Sequence, residues 1–145
     1  MPFMFCGCSE LKEVNITKLK TSKVKNMKGM FSRCSKLKEI NLNNLKTNNV
    51  TNMENMFNEC CWLKELDLSN FNTEKVTNMS GLFNKCSFLR KIKFKNFNTK
   101  KVDDMSYMFN NCSCLNDLYI SFFDIKKVED VTKMFVGCHE KLIKK

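Results

Sequence analysis

The chain has 145 residues, 43% of them hydrophobic, and carries 25 Lys or Arg against 15 Asp or Glu, a net charge of +10. That is one domain's length with enough apolar content for a core, and no run of 18 apolar residues exists to cross a bilayer. The positive charge fits a polyanion, but the lysines are scattered among Asp and Glu, which points to a solvated surface before a dedicated anion site. The first residues, Met1 to Cys8, lack the charged n-region and long apolar h-region of a secretory signal. They fall into repeat columns instead, so the chain starts inside a repeat, as a fragment or a divergent gene start would.

Cys8, Cys34, Cys60, Cys86, Cys112 and Cys138 stand 26 residues apart without insertion or deletion. Phe stands three residues before each of them, from Phe5 to Phe135, and Leu three after, from Leu11 to Leu115. A fixed period of this length marks a solenoid, whose units cannot stand alone but bury a continuous core when stacked.

The stretch from Cys60 to Phe83 serves as the sample unit. Leu63, Leu66 and Leu68 pass into period two, which predicts a short strand with Leu66 and Leu68 buried. Ser69 to Thr73 read as a turn. Val76, Met79, Leu82, Phe83 and Cys86 then recur at spacings of three and four, which predicts a short helix. Asn78, like Asn26, Asn52, Asp104 and Asp130, stands where an N-cap would accept from orphan backbone N–H groups. All ten methionines fall in two columns, headed by Met1 and Met4, on the face that must pack. Four further columns stay apolar, those of Val14, Ile16, Leu19 and Val24. The expected fold is an α/β, leucine-rich-repeat-like solenoid of five full strand–turn–short-helix coils with a parallel sheet. Its coils are residues 8–33, 34–59, 60–85, 86–111 and 112–137, with partial coils at 1–7 and 138–145, all in one domain.

The phrase from Leu66 to Leu89, LDLSNFNTEKVTNMSGLFNKCSFL, resembles the BspA-like leucine-rich repeats, also described as the DUF285 or mycoplasma-type surface-protein repeat. The resemblance covers nearly the whole chain. It implies a parallel-stranded solenoid and a cell-surface or secreted protein engaged in adhesion and host contact, a cytoplasmic place being the alternative. The chain departs from the common leucine-rich repeat where that family often puts Asn. Leu19, Leu45, Phe71, Phe97 and Phe123 stand there, with Asn44, Asn70 and Asn96 one residue earlier as candidate turn caps. The fifth unit drifts, with Phe122 in the Asn96 column and Ile125 ending the column of Thr21, Thr47, Thr73 and Thr99.

The cysteine column has three readings: a buried thiol ladder, disulfides, or a metal site. Stacked side chains pointing the same way suit a disulfide poorly, and no C-x-x-C pair or histidine cluster supports zinc. A buried ladder of small apolar thiols is the favoured reading. His139, the sole histidine, reads as a surface residue. No phosphate-binding, dinucleotide or nucleophile-elbow motif is present, so no catalytic, cofactor or metal site is assigned.

If Leu66 and Leu68 point inward, their neighbours point out. The candidate partner-binding residues on that face are Glu39, Glu65, Asp67, Lys91, Lys93, Lys95, Asp117 and Tyr119. The face runs from acidic to basic to mixed, as a binding surface on a regular scaffold would and as neutral drift would too. Lys12, Lys38, Lys64 and Arg90 form a separate basic row, read as a solvated rim. The leading expectation is a non-enzymatic protein-interaction or adhesion module whose partner is a protein or a host-surface macromolecule. The alternatives are a polyanion-binding surface (acidic glycan, membrane or nucleic acid) and an inert structural spacer in a longer protein. Nucleic acid is disfavoured because the aromatics occupy core columns and not places among the lysines. Neither end shows a polar cap, so end-to-end self-association is a further expectation.

Overall fold

In the computed structural model, which describes residues 1–95, 97–116, 118, 123–140 and 142, the chain is a repeat solenoid. Its two named strands are β1, Glu65–Asp67, and β2, Lys91–Lys93. They pair in parallel with Leu66 opposite Ile92, one 26-residue step apart. Leu66 and Ile92 point into the core while their neighbours are exposed, as the period-two stretch predicts. A second line of single parallel bridges joins Asn26, Asn52, Asn78, Asp104 and Asp130.

The predicted short helices are absent from the described residues, which corrects the strand–turn–short-helix unit. Between Met27 and Cys34 the backbone N–H groups alternate. Those of Met30, Ser32 and Cys34 close four-residue turns onto the carbonyls of Met27, Gly29 and Phe31. Those of Met27, Gly29, Phe31 and Arg33 donate to Asn52, Glu54, Met56 and Asn58 of the next coil, at 2.7 to 2.9 Å. An α-helix would need every N–H for its own i−4 carbonyl; here half of them join coils. Left-handed residues come in pairs four positions apart, one pair to each period, such as Gly29 at φ 58° and Arg33 at φ 61°, and stop a right-handed helix from propagating. Successive turns still bring positions three and four apart to one side, so the apolar spacing mimics a helix. Gly81, at φ 59°, is needed twice over, because a Cβ there would also run into the Asn55 side chain.

The inward columns form one core. Phe5, Phe31, Phe57, Phe83, Phe109 and Phe135 stack at centroid distances of 5.4, 5.6, 6.0, 5.4 and 5.6 Å. Both methionine columns are buried except toward the ends, where Met1 is half-buried and Met4 and Val131 are exposed. Each cysteine of the column from Cys34 to Cys138 donates its thiol to a carbonyl of the preceding coil, as Cys60 does to Phe31 at 3.1 Å. Cys8, in the same column, is exposed.

Candidate interaction face

The outward face is built by the strand pleat and by turns that fix where it ends. The Asp67 carboxylate accepts the Ser69 N–H at 2.9 Å, as Asn15 and Asn41 accept those of Thr17 and Asn43 in their coils. Hydrogen bonds from Ser69, and then the nearby Lys93 ammonium, hold the Asp67 carboxyl below the usual range. Lys93 sits opposite Asp67 in register, with Nζ 3.7 Å from the carboxylate, and both are half open to solvent. Such a pair contributes little to stability. Glu65 faces Lys91 in the same ladder. Glu39 and Lys95 are exposed in their coils. The structure therefore brings Glu65, Asp67, Lys91 and Lys93 together on one face. Asp117 and Tyr119 lie outside the described residues, as do Asn96 and Phe122.

Beside the strands, Lys12, Lys38 and Lys64 alternate with Glu13, Glu39 and Glu65 along a groove of about 520 Å³. The lysine row is thus part of a surface of mixed sign and not a bare cationic stripe. Of the expected turn caps, Asn70 reaches back to the carbonyls of Leu42, Asn43 and Leu45 of the preceding coil at 3.0 to 3.3 Å. The predicted N-cap residues do accept backbone N–H groups two residues on, from Lys28, Glu54, Ser80, Ser106 and Thr132, but they cap turns in place of helices.

The thiol ladder is not equipped for nucleophilic work. Burial first, and the neighbouring thiols second, push Cys34 up to about 11 and Cys60 and Cys86 further. A thiol held that firmly in its protonated form is inert at neutral pH. Among the described residues no group of three or more His, Cys, Asp or Glu could hold a metal ion, and no helix is long and apolar enough to cross a membrane. His139 is half-buried.

Two surface residues escape a reading based on inward columns. Trp62 and Phe88 lie in the outward row that begins with Glu10 and Lys36, and both are exposed. They place aromatics among the lysines, which removes the stated ground for disfavouring nucleic acid. The change within that row from charged to aromatic was the available signal, together with Trp62 being the sole tryptophan.

The family described as Mycoplasma protein of unknown function, DUF285, matches residues 1–68 and 61–141. No curated protein sequence matches the chain. Among solved structures, a leucine-rich repeat protein from Eubacterium ventriosum ATCC 27560 is similar, with a TM-score of 0.54 at 18% identity over 92% of this chain and 32% of that one. A leucine rich cell surface protein from Faecalibacterium prausnitzii A2-165 gives a TM-score of 0.49 at 24% identity over 77% of this chain and 33% of that one. The chain spans about a third of the length of these solved proteins. The first likeness agrees with the leucine-rich-repeat solenoid fold, and the sequence match over nearly its full length makes this chain a member of the DUF285 family.

Proposed function

We propose that the chain is a non-enzymatic module that binds a protein or host-surface macromolecule through the outward face of its parallel strands. The observation that carries this reading is the contrast between the two sides of one ladder. The inward partners Leu66 and Ile92 keep the same chemistry, whereas the outward pair switches from Glu65 and Asp67 to Lys91 and Lys93. A scaffold that holds its core constant while varying its face offers a distinctive surface for recognition. Glu39 and Lys95 extend that face within the described residues, and Asp117 and Tyr119 would extend it by one coil.

The test is charge reversal of Lys91, Lys93 and Lys95 to Glu in the 145-residue chain. Binding is measured against a panel of immobilised host-surface proteins and acidic glycans, and folding by thermal unfolding. Loss of binding with unfolding unchanged is the expected result; binding that survives all three reversals rejects this face. A polyanion ligand would instead show affinity falling steeply with salt and surviving Tyr119→Ala. An inert spacer would bind nothing on the panel.

A further inference from the structure

The lysines are scattered along the sequence but not around the solenoid. Residues 15–26 and 41–52, the turn edges of the first two full coils, carry Lys18, Lys20, Lys23, Lys25 and Lys46 and no Asp or Glu. The N–H groups of Leu19 and Val24 close four-residue turns onto the carbonyls of Ile16 and Thr21. Leu19, Thr21 and Val24 thereby pack inward, and the lysines between them are exposed. The two coils are tied together along this edge. The Lys46 N–H donates to Thr21 Oγ1 at 2.7 Å, the Asn49 amide to the Ser22 carbonyl at 2.9 Å, and the Thr51 N–H to the Lys25 carbonyl at 2.8 Å. From the third coil the Lys75 ammonium reaches back to Asn49 Oδ1 at 2.8 Å and adds another positive charge.

Among the described residues none of these lysines is in an ion pair. The first carboxylates in the same columns come in the third coil, as Glu74 and as Asp67, which meets Lys93. Glu13 and Glu39 stand on the strand side, in the groove they share with Lys12 and Lys38. A line of backbone hydrogen bonds runs along the edge, from Thr51 to Lys25, Thr77 to Thr51, Asp103 to Thr77 and Glu129 to Asp103, at 2.8 to 2.9 Å. It starts at a lysine and finishes at two carboxylates, and the column of Lys20 and Lys46 likewise finishes in Asp124. Positive charge is therefore gathered on one half of one edge, where its self-repulsion is relieved by a bound polyanion. We propose that the edge carrying Lys18, Lys20, Lys23, Lys25 and Lys46 binds a sulfated glycan, at a site separate from the strand face. The exposed residues between the lysines are Ser22, Asn44, Asn48, Asn49 and Thr51, whose amides and hydroxyls suit the hydroxyl groups between sulfates. Single-stranded nucleic acid needs stacking rings, and this edge has none. A membrane surface needs apolar side chains to insert, but Leu19, Val24, Leu45 and Val50 are turned into the core. Duplex DNA is read by a helix or ribbon placed in a groove, and this edge is made of turns.

The 145-residue chain is titrated by calorimetry with a heparin octasaccharide, a short DNA duplex and phosphatidylserine-containing vesicles. The expected result is octasaccharide binding that weakens at least about tenfold between about 50 and 200 mM salt, with the duplex and the vesicles binding more weakly. Lys18→Gln, Lys20→Gln, Lys23→Gln and Lys25→Gln together should weaken octasaccharide binding at least about tenfold. Lys100→Gln, Lys101→Gln, Lys126→Gln and Lys127→Gln together remove the same charge from coils where Asp103, Asp104, Asp124, Glu129 and Asp130 accompany the lysines. That variant should bind within about twofold of the parent. Thermal unfolding should be unchanged in both, because all the substituted side chains are exposed. Equal losses in the two variants would reduce the binding to net charge and overturn the site. A loss confined to reversal of Lys91, Lys93 and Lys95 would move the glycan to the strand face, and tighter binding of duplex or vesicles would replace the ligand class. Either result overturns the proposal, as does an octasaccharide that does not bind; none of the three bears on a protein partner at the strand face.

Discussion

Thr47 Oγ1 accepts the Asn72 N–H at 2.8 Å and donates to the Asn72 carbonyl at 3.0 Å, so one hydroxyl satisfies both backbone groups of a residue in the next coil. Thr73 does the same for Asn98, and Thr99 for Asp124. These threonines are buried, where an unmet N–H or carbonyl is costly. Thr47→Val keeps the volume and orphans two backbone groups, an expected loss of roughly 2–4 kcal/mol. Thr47→Ser keeps the hydroxyl and loses one methyl, an expected loss of about 1 kcal/mol. Urea unfolding midpoints separate the two, and a Val variant as stable as the Ser variant would show that the hydroxyl bonds contribute nothing net. The sequence displays this column plainly, yet a threonine among asparagines reads as a turn residue, because nothing local marks it as buried.

At the scale of the element, the cysteine column acts as a set of coupled buried acids. The ordinary thiol value is 9.0, and burial raises Cys34 to about 11 and Cys60, Cys86 and Cys112 beyond it. Between the unfolded and folded values the unfolded chain has lost protons that the native chain still holds. Stability is therefore fully present below about pH 9 and falls as pH rises toward 11 and past it, each such thiol steepening the fall. Cys86→Ala costs stability at pH 7 by opening a small cavity, but its stability falls less steeply above pH 9, so the gap to the parent narrows. Equal slopes for parent and variant in urea unfolding from pH 8 to pH 11 would refute the ladder's part in alkaline unfolding. The same column shows what was legible in the sequence. The period fixes which residues share a core, and Cys60, Phe57, Met53 and Leu63 are all fully buried as their columns require. It does not fix the backbone between them. Val76, Met79, Leu82 and Phe83 have helical spacing, but the distinction between a helix and successive turns lies in where the N–H groups go, and the partner of Phe83, the Met108 carbonyl, is 25 residues away. On the face, Glu65, Asp67, Lys91 and Lys93 follow from strand alternation, whereas Trp62 and Phe88 sit at a corner that a two-residue alternation does not reach.

For the whole molecule, the hydrogen bonds that join coils have a direction, and the two ends are complementary because of it. In the turn region each coil donates N–H groups to carbonyls of the next, as Phe109 does to Met134 and Asn111 to Val136. At the C-terminal end the N–H groups of Lys133, Phe135 and Gly137 have no such acceptor among the described residues, and at the N-terminal end the carbonyls of Pro2, Met4 and Cys6 receive no such donor. Adding whole periods of 26 to residues 2, 4 and 6 places them where the acceptors of Lys133, Phe135 and Gly137 would stand. The C-terminal end also opens an apolar groove of about 650 Å³ lined by Ile125, Val131, Met134 and Val136, and the N-terminal end exposes Phe3 and Met4. Head-to-tail contact of these ends is heterologous and does not close on itself, so it yields a series of oligomers and not a single dimer. The 145-residue chain is therefore expected to sediment as a mixture that grows with concentration. Ile125→Thr, Val131→Thr and Val136→Asn together make the groove polar, and Ile125→Thr also restores the residue type of its column. That triple variant should sediment as a monomer at the same concentrations, with thermal unfolding of the monomer unchanged, because these side chains are exposed already. A parent that is monomeric at every concentration, or a triple variant that associates as the parent does, would place the association elsewhere or remove it.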